Sequence, residues 1–325
     1  MSWLVTGGAG YIGAHVVRAL ADAGMPPVVV DDLSSGHAGF VPRDVPFVEG
    51  TILDKALLVD TIRTHGVVGV IHVAGFKYAG VSVQRPLHTY EQNVEGTRLV
   101  LAAMAETGVS NIVFSSSAAV FGTPDVPLVT EDLPKRPASP YGESKLIGEW
   151  LLRDQAVATA SSDAPLRHTS LRYFNVVGSS DPAVYDSSPH NLFPLVFEAL
   201  IAGKTPKIFG DDYDTPDGTN VRDYVHVGDI AAAHVVAARR LAEGLPVEPA
   251  YNLGSQNGLS VREIMDAMAR VTGIDFTPEI APRRPGDPDR IVATGELAAR
   301  DLDWANRYTV DEMVRSGWEA RRAAG

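Results

Sequence analysis

The sequence predicts an α/β fold: a doubly wound parallel sheet followed by a smaller mixed α/β lobe at the C-terminal end. Three observations predict it. Short apolar runs alternate with amphipathic stretches up to about position 175. Those runs are continuous rather than alternating in polarity, as strands buried on both faces must be. After Gly178 the chain turns rich in Ser, Asp, Pro and Gly over 178–191 and 210–220. Loops of that length inside a compact protein are usually functional.

The first run, Trp3-Leu4-Val5, leads into Thr6-Gly7-Gly8-Ala9-Gly10-Tyr11-Ile12-Gly13. This reads as strand, tight turn, helix. Gly7 permits the turn, Gly10 lets the backbone approach a pyrophosphate, and Gly13 lets the helix lie close to the strand. The helix starts at the loop, so its free amides and positive dipole end face the phosphates. Over 11–23, Ile12, Val16, Val17, Leu20 and Ala21 share a face and Gly24 ends the element. The second strand, 28–31, ends in Asp31, eighteen positions after Gly13. A carboxylate there accepts from ribose hydroxyls and repels a 2′-phosphate, which favours NAD over NADP. Alone, the glycines equally fit a flexible loop and Asp31-Asp32 a solvated strand end; their order favours the dinucleotide. Further strands are expected at 68–73, 111–115 and 169–174, with helices at 55–65, 92–107 and 141–158. Beyond them, helices are expected at 192–202, 228–243, 260–272 and 309–323. The division expected is 1–175 for the cofactor and 176–325 for the substrate. About 221–243 returns to the first unit, because Tyr224-Val225-His226-Val227 followed by an apolar helix reads as another βα unit.

Composition narrows the class. With 325 residues, 45% of them hydrophobic and 21% charged, the chain can build one or two ordinary globular cores. A net charge of −12 argues against a nucleic-acid or anionic-membrane surface. The absence of cysteine excludes disulfides and thiolate chemistry. No apolar stretch is long enough to span a membrane, and nothing before the first strand reads as a signal peptide, so a cytoplasmic location is expected. The histidines lack metal-ligand spacing, and no metal is expected.

Tyr141-Gly142-Glu143-Ser144-Lys145 sets a phenol and an ammonium four residues apart, on one face of a helix. A phenol with a pKa of about 10 is a poor base at neutral pH, and a neighbouring cation favours its phenolate. Ser115-Ser116-Ser117 closes a strand at the carboxyl edge where such sheets bind ligands. A serine there can hold a substrate hydroxyl against the phenolate.

With these features, and with Ala74-Gly75-Phe76-Lys77, Phe114-Ser115-Ser116-Ser117, Leu171-Arg172-Tyr173-Phe174-Asn175, Val221-Arg222-Asp223-Tyr224-Val225-His226, Tyr251-Asn252-Leu253-Gly254 and Ala281-Pro282-Arg283-Arg284-Pro285-Gly286-Asp287, the chain resembles the extended short-chain dehydrogenase/reductases. Within them it is similar to the UDP-glucose 4-epimerase family, from Leu4 to about Trp318. The resemblance implies a Rossmann-type domain and reversible interconversion of UDP-glucose and UDP-galactose. Bound NAD would oxidise C4 and re-reduce it without facial preference. It implies Tyr141 as base, Ser117 on the sugar 4-oxygen and Lys145 on the nicotinamide ribose. NAD contacts fall on Gly7, Gly10, Tyr11, Ile12, Gly13, Asp31, Thr51, Ile52, Ala74, Lys77, Asn93, Ser115 and Tyr173, with Tyr141 and Lys145. Contacts to the UDP-hexose fall on Asn175, Asn191, Leu192, Phe209, Arg222, Tyr224, Arg284 and Asp287, with Ile291 bordering the sugar C2 substituent.

Some positions depart from that pattern. Thr51 stands where most of the family has an aspartate facing adenine. Ala119 and Phe121 replace a common threonine and tyrosine, and Tyr78 replaces a small residue. Other 4-epimerases, acting on UDP-N-acetylhexosamines, UDP-pentoses or UDP-glucuronate, remain alternatives, as does a catalytically silent NAD-sensing protein. A 4,6-dehydratase needs an acidic pair after the strand serine, where this chain has Ala118-Ala119-Val120. The helices at 92–107 and 141–158 carry apolar residues on more than one side, so a homodimer through a four-helix contact is expected.

Overall fold

Leu4 and Val5 point to opposite faces of one strand and both are fully buried. Neither face meets water, so the run shows no alternation. The computed structural model, which describes residues 2–284 and 287–325, builds that run into β1 (Ser2–Thr6). There follow α1 (Tyr11–Asp22), β2 (Pro27–Asp31), β3 (Phe47–Glu49), α2 (Lys55–Thr64), β4 (Val67–His72), α3 (Ala79–Ser82), α4 (Pro86–Tyr90), α5 (Gly96–Thr107), β5 (Asn111–Ser117), α6 (Pro140–Thr159) and β6 (Arg167–Tyr173). The remainder forms β7 (Asn175–Val177), α7 (Leu192–Ile201), β8 (Lys207–Phe209), β9 (Val221–Arg222), β10 (Tyr224–His226), α8 (Val227–Ala242), β11 (Ala250–Leu253), β12 (Leu259–Ser260), α9 (Val261–Thr272), β13 (Glu279–Ala281), β14 (Arg290–Ile291), α10 (Glu296–Leu302) and α11 (Val310–Ala323).

Seven parallel strands make the main sheet in the order β11-β6-β5-β4-β1-β2-β3. The chain direction across the sheet reverses between β1 and β4, the switch point outside which such sheets bind ligands. Helices α1 and α8 cover one face, burying Val5, Val29, Val16, Val17, Leu20 and Ile230 together. Helices α2, α5 and α6 cover the other over Leu4, Val28, Leu58, Val100, Met104, Phe114 and Leu152. The second lobe has its own core of Phe193, Phe197, Ile264, Met268, Met313 and Trp318. There α9 and α11 pack together, each begun by a capping box, Ser260 with Glu263 and Thr309 with Glu312.

Three expectations need correcting in detail. The helix expected at 92–107 is a π turn over Glu91–Glu95 running into α5, and it continues directly from α4. Helix α8 does cover the main sheet, but the strand before it, β10, pairs with β7 instead of joining that sheet. Edge strands β3 and β11 were not foreseen, because three- and four-residue strands carry too little pattern. Among the described residues no helix is long and apolar enough to cross a membrane.

Candidate active site

A cleft of about 810 Å³ opens at the carboxyl ends of the parallel strands and continues between the lobes. Gly7 after β1, Asp31 at the end of β2, Ala74 after β4, Ser117 ending β5 and Tyr173 ending β6 all line it. The glycine loop forms its floor. Gly7 has φ +73°, and a Cβ on Gly13 would stand 2.0 Å from the Gly7 carbonyl oxygen. No side chain caps the N-terminus of α1, whose N-cap is Gly10, so the end of the helix is left for a ligand. The Asp31 carboxylate accepts from the amides of Ala9 (3.0 Å) and Leu33 (2.9 Å), which fixes it at the edge of the cleft. Burial pushes its pKa up, against the pull of those two amides. This backbone cradle, with a carboxylate at the ribose position, fits NAD; Ile12, Ile52 and Lys77 line the same stretch.

At the middle of the cleft α6 delivers Tyr141 and Lys145 while β5 delivers Ser117. The helix starts at Ser139, whose hydroxyl accepts from the Gly142 amide, with Pro140 in its first turn. Lys145 Nζ donates to the Ser115 carbonyl at 2.8 Å and lies 5.9 Å from the Tyr141 ring centroid. Burial lowers its pKa to about 8. The expected depression of the Tyr141 pKa by that cation is not what the protein alone provides. Burial raises it, and only hydrogen bonding with Ser117 works downward.

The far end holds most of the residues expected around a nucleotide sugar. Asn175, Asn191, Leu192, Phe209, Arg222, Tyr224, Arg284 and Asp287 all line it. Arg222 Nη2 pairs with Asp287 Oδ1 at 2.5 Å, and Asn220 donates to Asp287 Oδ2 at 2.8 Å. The Arg284 guanidinium stacks on Phe209 at 4.1 Å. Asn175 donates to the Asp223 carbonyl oxygen (3.1 Å), and Asn191 donates to Asp186 (2.7 Å). Pro285 and Gly286, in the middle of the Arg-Arg turn, lie outside the described residues.

Four expected contacts are not brought to the cleft wall. Thr51 uses its hydroxyl to accept from the Leu53 amide. Asn93, in the π turn, is committed to the Phe76 backbone (2.6 and 3.0 Å) and to Ser144 (2.8 Å), so it braces the loop after β4 against α6. Ser115 is buried behind the wall, 3.2 Å from His234 Nε2. Ile291 packs beside Val120, Phe121, Leu146 and Ala293, while its neighbour Phe174 faces the cleft. Tyr11 lines the cleft, but its hydroxyl donates to the Gly178 carbonyl at 2.6 Å.

Other lining residues went unforeseen. Asp186, Ser188 and His190 come from the Ser/Asp/Pro-rich stretch, whose length was the only signal for them. His190 meets Tyr78 across the cleft with ring centroids 4.8 Å apart. Among the described residues there is no cluster of three or more His, Asp or Glu able to hold a metal.

Comparison with known proteins agrees with this geometry. The sequence model described as the NAD dependent epimerase/dehydratase family matches residues 3–254. A UDP-glucose 4-epimerase of Azospirillum brasilense is 43% identical, with 97% of this chain and 91% of that one aligned. The solved UDP-glucose 4-epimerase of Brucella ovis in complex with NAD superposes with a TM-score of 0.92 at 41% identity, covering 98% and 97% of the two chains. That of Bifidobacterium longum in complex with NAD+ and UDP gives 0.89 at 35% identity, covering 99% and 98%. Sequence, fold and cleft together place this chain in the NAD dependent epimerase/dehydratase family, alongside its UDP-glucose 4-epimerases.

Proposed function

We propose that this chain is an NAD-dependent isomerase that interconverts UDP-glucose and UDP-galactose at C4. The observation that carries the reading is one continuous cleft. The glycine cradle and Asp31 lie at one end, Ser117, Tyr141 and Lys145 in the middle, and Arg222, Arg284, Asp287 and Phe209 at the other. Gly7, Gly10, Gly13 and Asp31 would hold NAD, which when bound would supply a hydride acceptor and, once reduced, a hydride donor for C4. Tyr141 takes the proton of the sugar 4-hydroxyl, and Ser117 holds that oxygen in reach. Because burial opposes the phenolate, positive charge beside the ring is required once ligands close the site, and Lys145 Nζ, 5.9 Å from the ring centroid, is the cation this reading assigns to that task. The same phenol serves both epimers, since the proton taken from one 4-hydroxyl is the one given to the other. Arg222 and Arg284 offer forked donors to the diphosphate. Cleft walls contributed by both lobes keep water from the keto sugar while it turns.

Residues 1–175, with the segment about 221–243, would carry the cofactor and the remainder the UDP-hexose. A homodimer is proposed through the outer faces of α5 and α6, where Trp150 and Val157 are exposed. A cytoplasmic location fits the substrates. The test is incubation of the purified protein with UDP-galactose and separation of the products. UDP-glucose should form without net consumption of NAD; NADH accumulating in proportion to sugar consumed, with no UDP-glucose, would overturn the reading.

A further inference from the structure

Tyr141 stands in the first turn of α6, where a helix cannot satisfy its own amides. Of the first three residues, Pro140 has no N–H and Gly142 donates to Ser139 Oγ at 3.3 Å. The Tyr141 N–H is left over, and it is satisfied from outside the helix: Ser82 Oγ, on α3, accepts it at 3.1 Å. Ser82 is wholly buried, and its own proton goes to the Ala79 carbonyl oxygen at 2.6 Å, so toward Tyr141 it can only accept. The Tyr141 carbonyl oxygen is held as well. Ser144 Oγ, also wholly buried, donates to it at 2.7 Å and accepts from Asn93 Nδ2 at 2.8 Å. Asn93 in turn grips both polar atoms of the Phe76 backbone, accepting from its N–H at 2.6 Å and donating to its carbonyl oxygen at 3.0 Å. A Cβ on Gly75 would stand 2.7 Å from Asn93 Oδ1, so this grip needs the bare backbone found there. Phe76 leads through Lys77 and Tyr78 back into α3, which closes the bracket. Two buried hydroxyls thus tie the Tyr141 backbone to one segment, 76–82, whose residues Phe76, Lys77 and Tyr78 line the cleft.

We infer that Ser82 is a positioning residue of the reaction: its hydroxyl, with Ser144 and Asn93 closing the bracket, sets the Tyr141 phenol against Ser117 and Lys145 and ties its place to the loop after β4. Lys145 Nζ is anchored to β5 through the Ser115 carbonyl at 2.8 Å, and Ser117 ends that strand. The groups that face the phenol are held by the sheet, and the phenol is held by the bracket. Without Ser82 the start of α6 loosens while those groups stay, so the ring drifts from its cation and its serine and the phenolate becomes harder to form. A displacement of about 1 Å is enough to cost a large share of the rate. The role in turnover rests on the epimerase reading, but the bracket itself can be measured without turnover.

The experiment uses the holoenzyme with 15N-labelled tyrosine, Tyr141→Phe identifying the Tyr141 amide, and compares the wild type with Ser82→Ala and Ser82→Thr. Hydrogen exchange of that amide should be slow in the wild type, about tenfold or more faster in Ser82→Ala, and slow again in Ser82→Thr, which keeps the hydroxyl. Equal exchange in the wild type and Ser82→Ala overturns the inference. In the kinetic arm, Ser82→Ala should lower kcat for UDP-galactose about tenfold or more, leave KM unchanged and move the acid limb of the kcat–pH profile to higher pH. Ser82→Thr should recover most of kcat and return the limb. Ser144→Ala should move the limb the same way, and the double variant should lose less than the product of the two single losses. An unchanged kcat overturns the inference, as does a kcat that falls with the acid limb in place or only in step with Tm, which is all a merely structural serine would give. If Ser82→Ala does not fold, Ser144→Ala carries both readouts. Failure to epimerise any UDP-hexose with the amide exchange as expected would refute the epimerase reading and leave the bracket standing.

Discussion

Tyr141 sits where burial works against the charge state its chemistry needs, which makes the consequences of single-residue changes specific. Tyr141→Phe removes the proton acceptor and little else, so turnover of UDP-galactose should fall by at least about a hundredfold while Tm stays put. A variant keeping a tenth of wild-type kcat would refute the role of Tyr141. Lys145→Met removes the cation near the ring; the phenol pKa rises, and the acid limb of the kcat–pH profile should move to higher pH. An acid limb left in place would mean that Lys145 does not act on the phenol. These residues were legible in the sequence because helical spacing alone puts positions 141 and 145 on one face. Ser115, Asn93 and Ile291 were not, because their faces are set by tertiary packing. Three successive serines show how finely. Ser115 bonds His234 under α8, Ser116 donates to Glu149 at 2.6 Å under α6 while still touching the cleft, and Ser117 opens into the cleft beside Tyr141. One residue of register on β5 separates three roles, and composition is blind to it.

Helix α6 carries the reacting side chains, and its position is fixed from below by a buried ion pair. Glu149, two turns beyond Tyr141, accepts from Arg172 on β6 through both oxygens at 2.8 and 2.6 Å, the side chains being 11% and 5% exposed. With Ser116 as third partner, the carboxylate ties α6 to the ends of β5 and β6, the strands bearing Ser117 and Tyr173. Glu149→Ala leaves the Arg172 charge buried without its partner and should cost about 3–5 kcal/mol in urea denaturation. Replacing both partners by Met should recover most of that loss, since neither desolvated charge remains. A single-variant cost below about 1 kcal/mol would show that the helix is held by apolar packing alone. At this scale the sequence was most readable where apolar runs or capping residues are long enough to repeat, as in β1, β2, α1 and α9. It was least readable in the π turn at Glu91–Glu95. There Asn93 bonding to Phe76 and Ser144, a contact between distant segments, accompanies a departure from α-helical spacing that no local periodicity records.

For the whole molecule, two properties follow from what the fold leaves outside and what it shuts inside. Helix α6 buries Leu146 and Leu152 but leaves Trp150 46% and Val157 73% exposed, and Leu87 of α4, a helix that packs against α6, is 83% exposed. A second copy covering that face should give a dimeric mass by light scattering at micromolar concentration; a monomeric mass would exclude the contact. Shut inside are His15, His72, His226 and His234, whose pKa values burial lowers from 6.5 to about 4, 3, 4 and 4. Two of them stitch the lobes together. His15 on α1 accepts from the Ser180 amide at 3.1 Å, and His226 bonds Ser316 of α11 at 3.1 Å while stacking on Tyr308 at 3.7 Å. In the unfolded chain each titrates near 6.5; in the native protein each stays neutral to below pH 5. As pH falls from 6.5 the unfolded state therefore binds more protons, and stability falls with it. Asp223 works the other way. Its carboxylate, held by the Ser255 and Ala293 amides, has a native pKa raised to about 6, so the native state gains a proton there before the unfolded state does. Asp31 and Asp229, whose pKa values burial also raises, work in the same sense as Asp223, while His168, lowered by burial, adds to the histidines. The four wholly buried histidines carry the larger shifts, so stability falls as pH drops through this interval. Urea midpoints measured at pH 7, 6 and 5 should drop steeply over this interval, well above the range in which carboxylate protonation unfolds most proteins. His15→Asn should make the slope shallower, because one silent proton site is gone. A midpoint that holds constant to pH 5 would mean that the native state opens to protonate these rings without losing its packing.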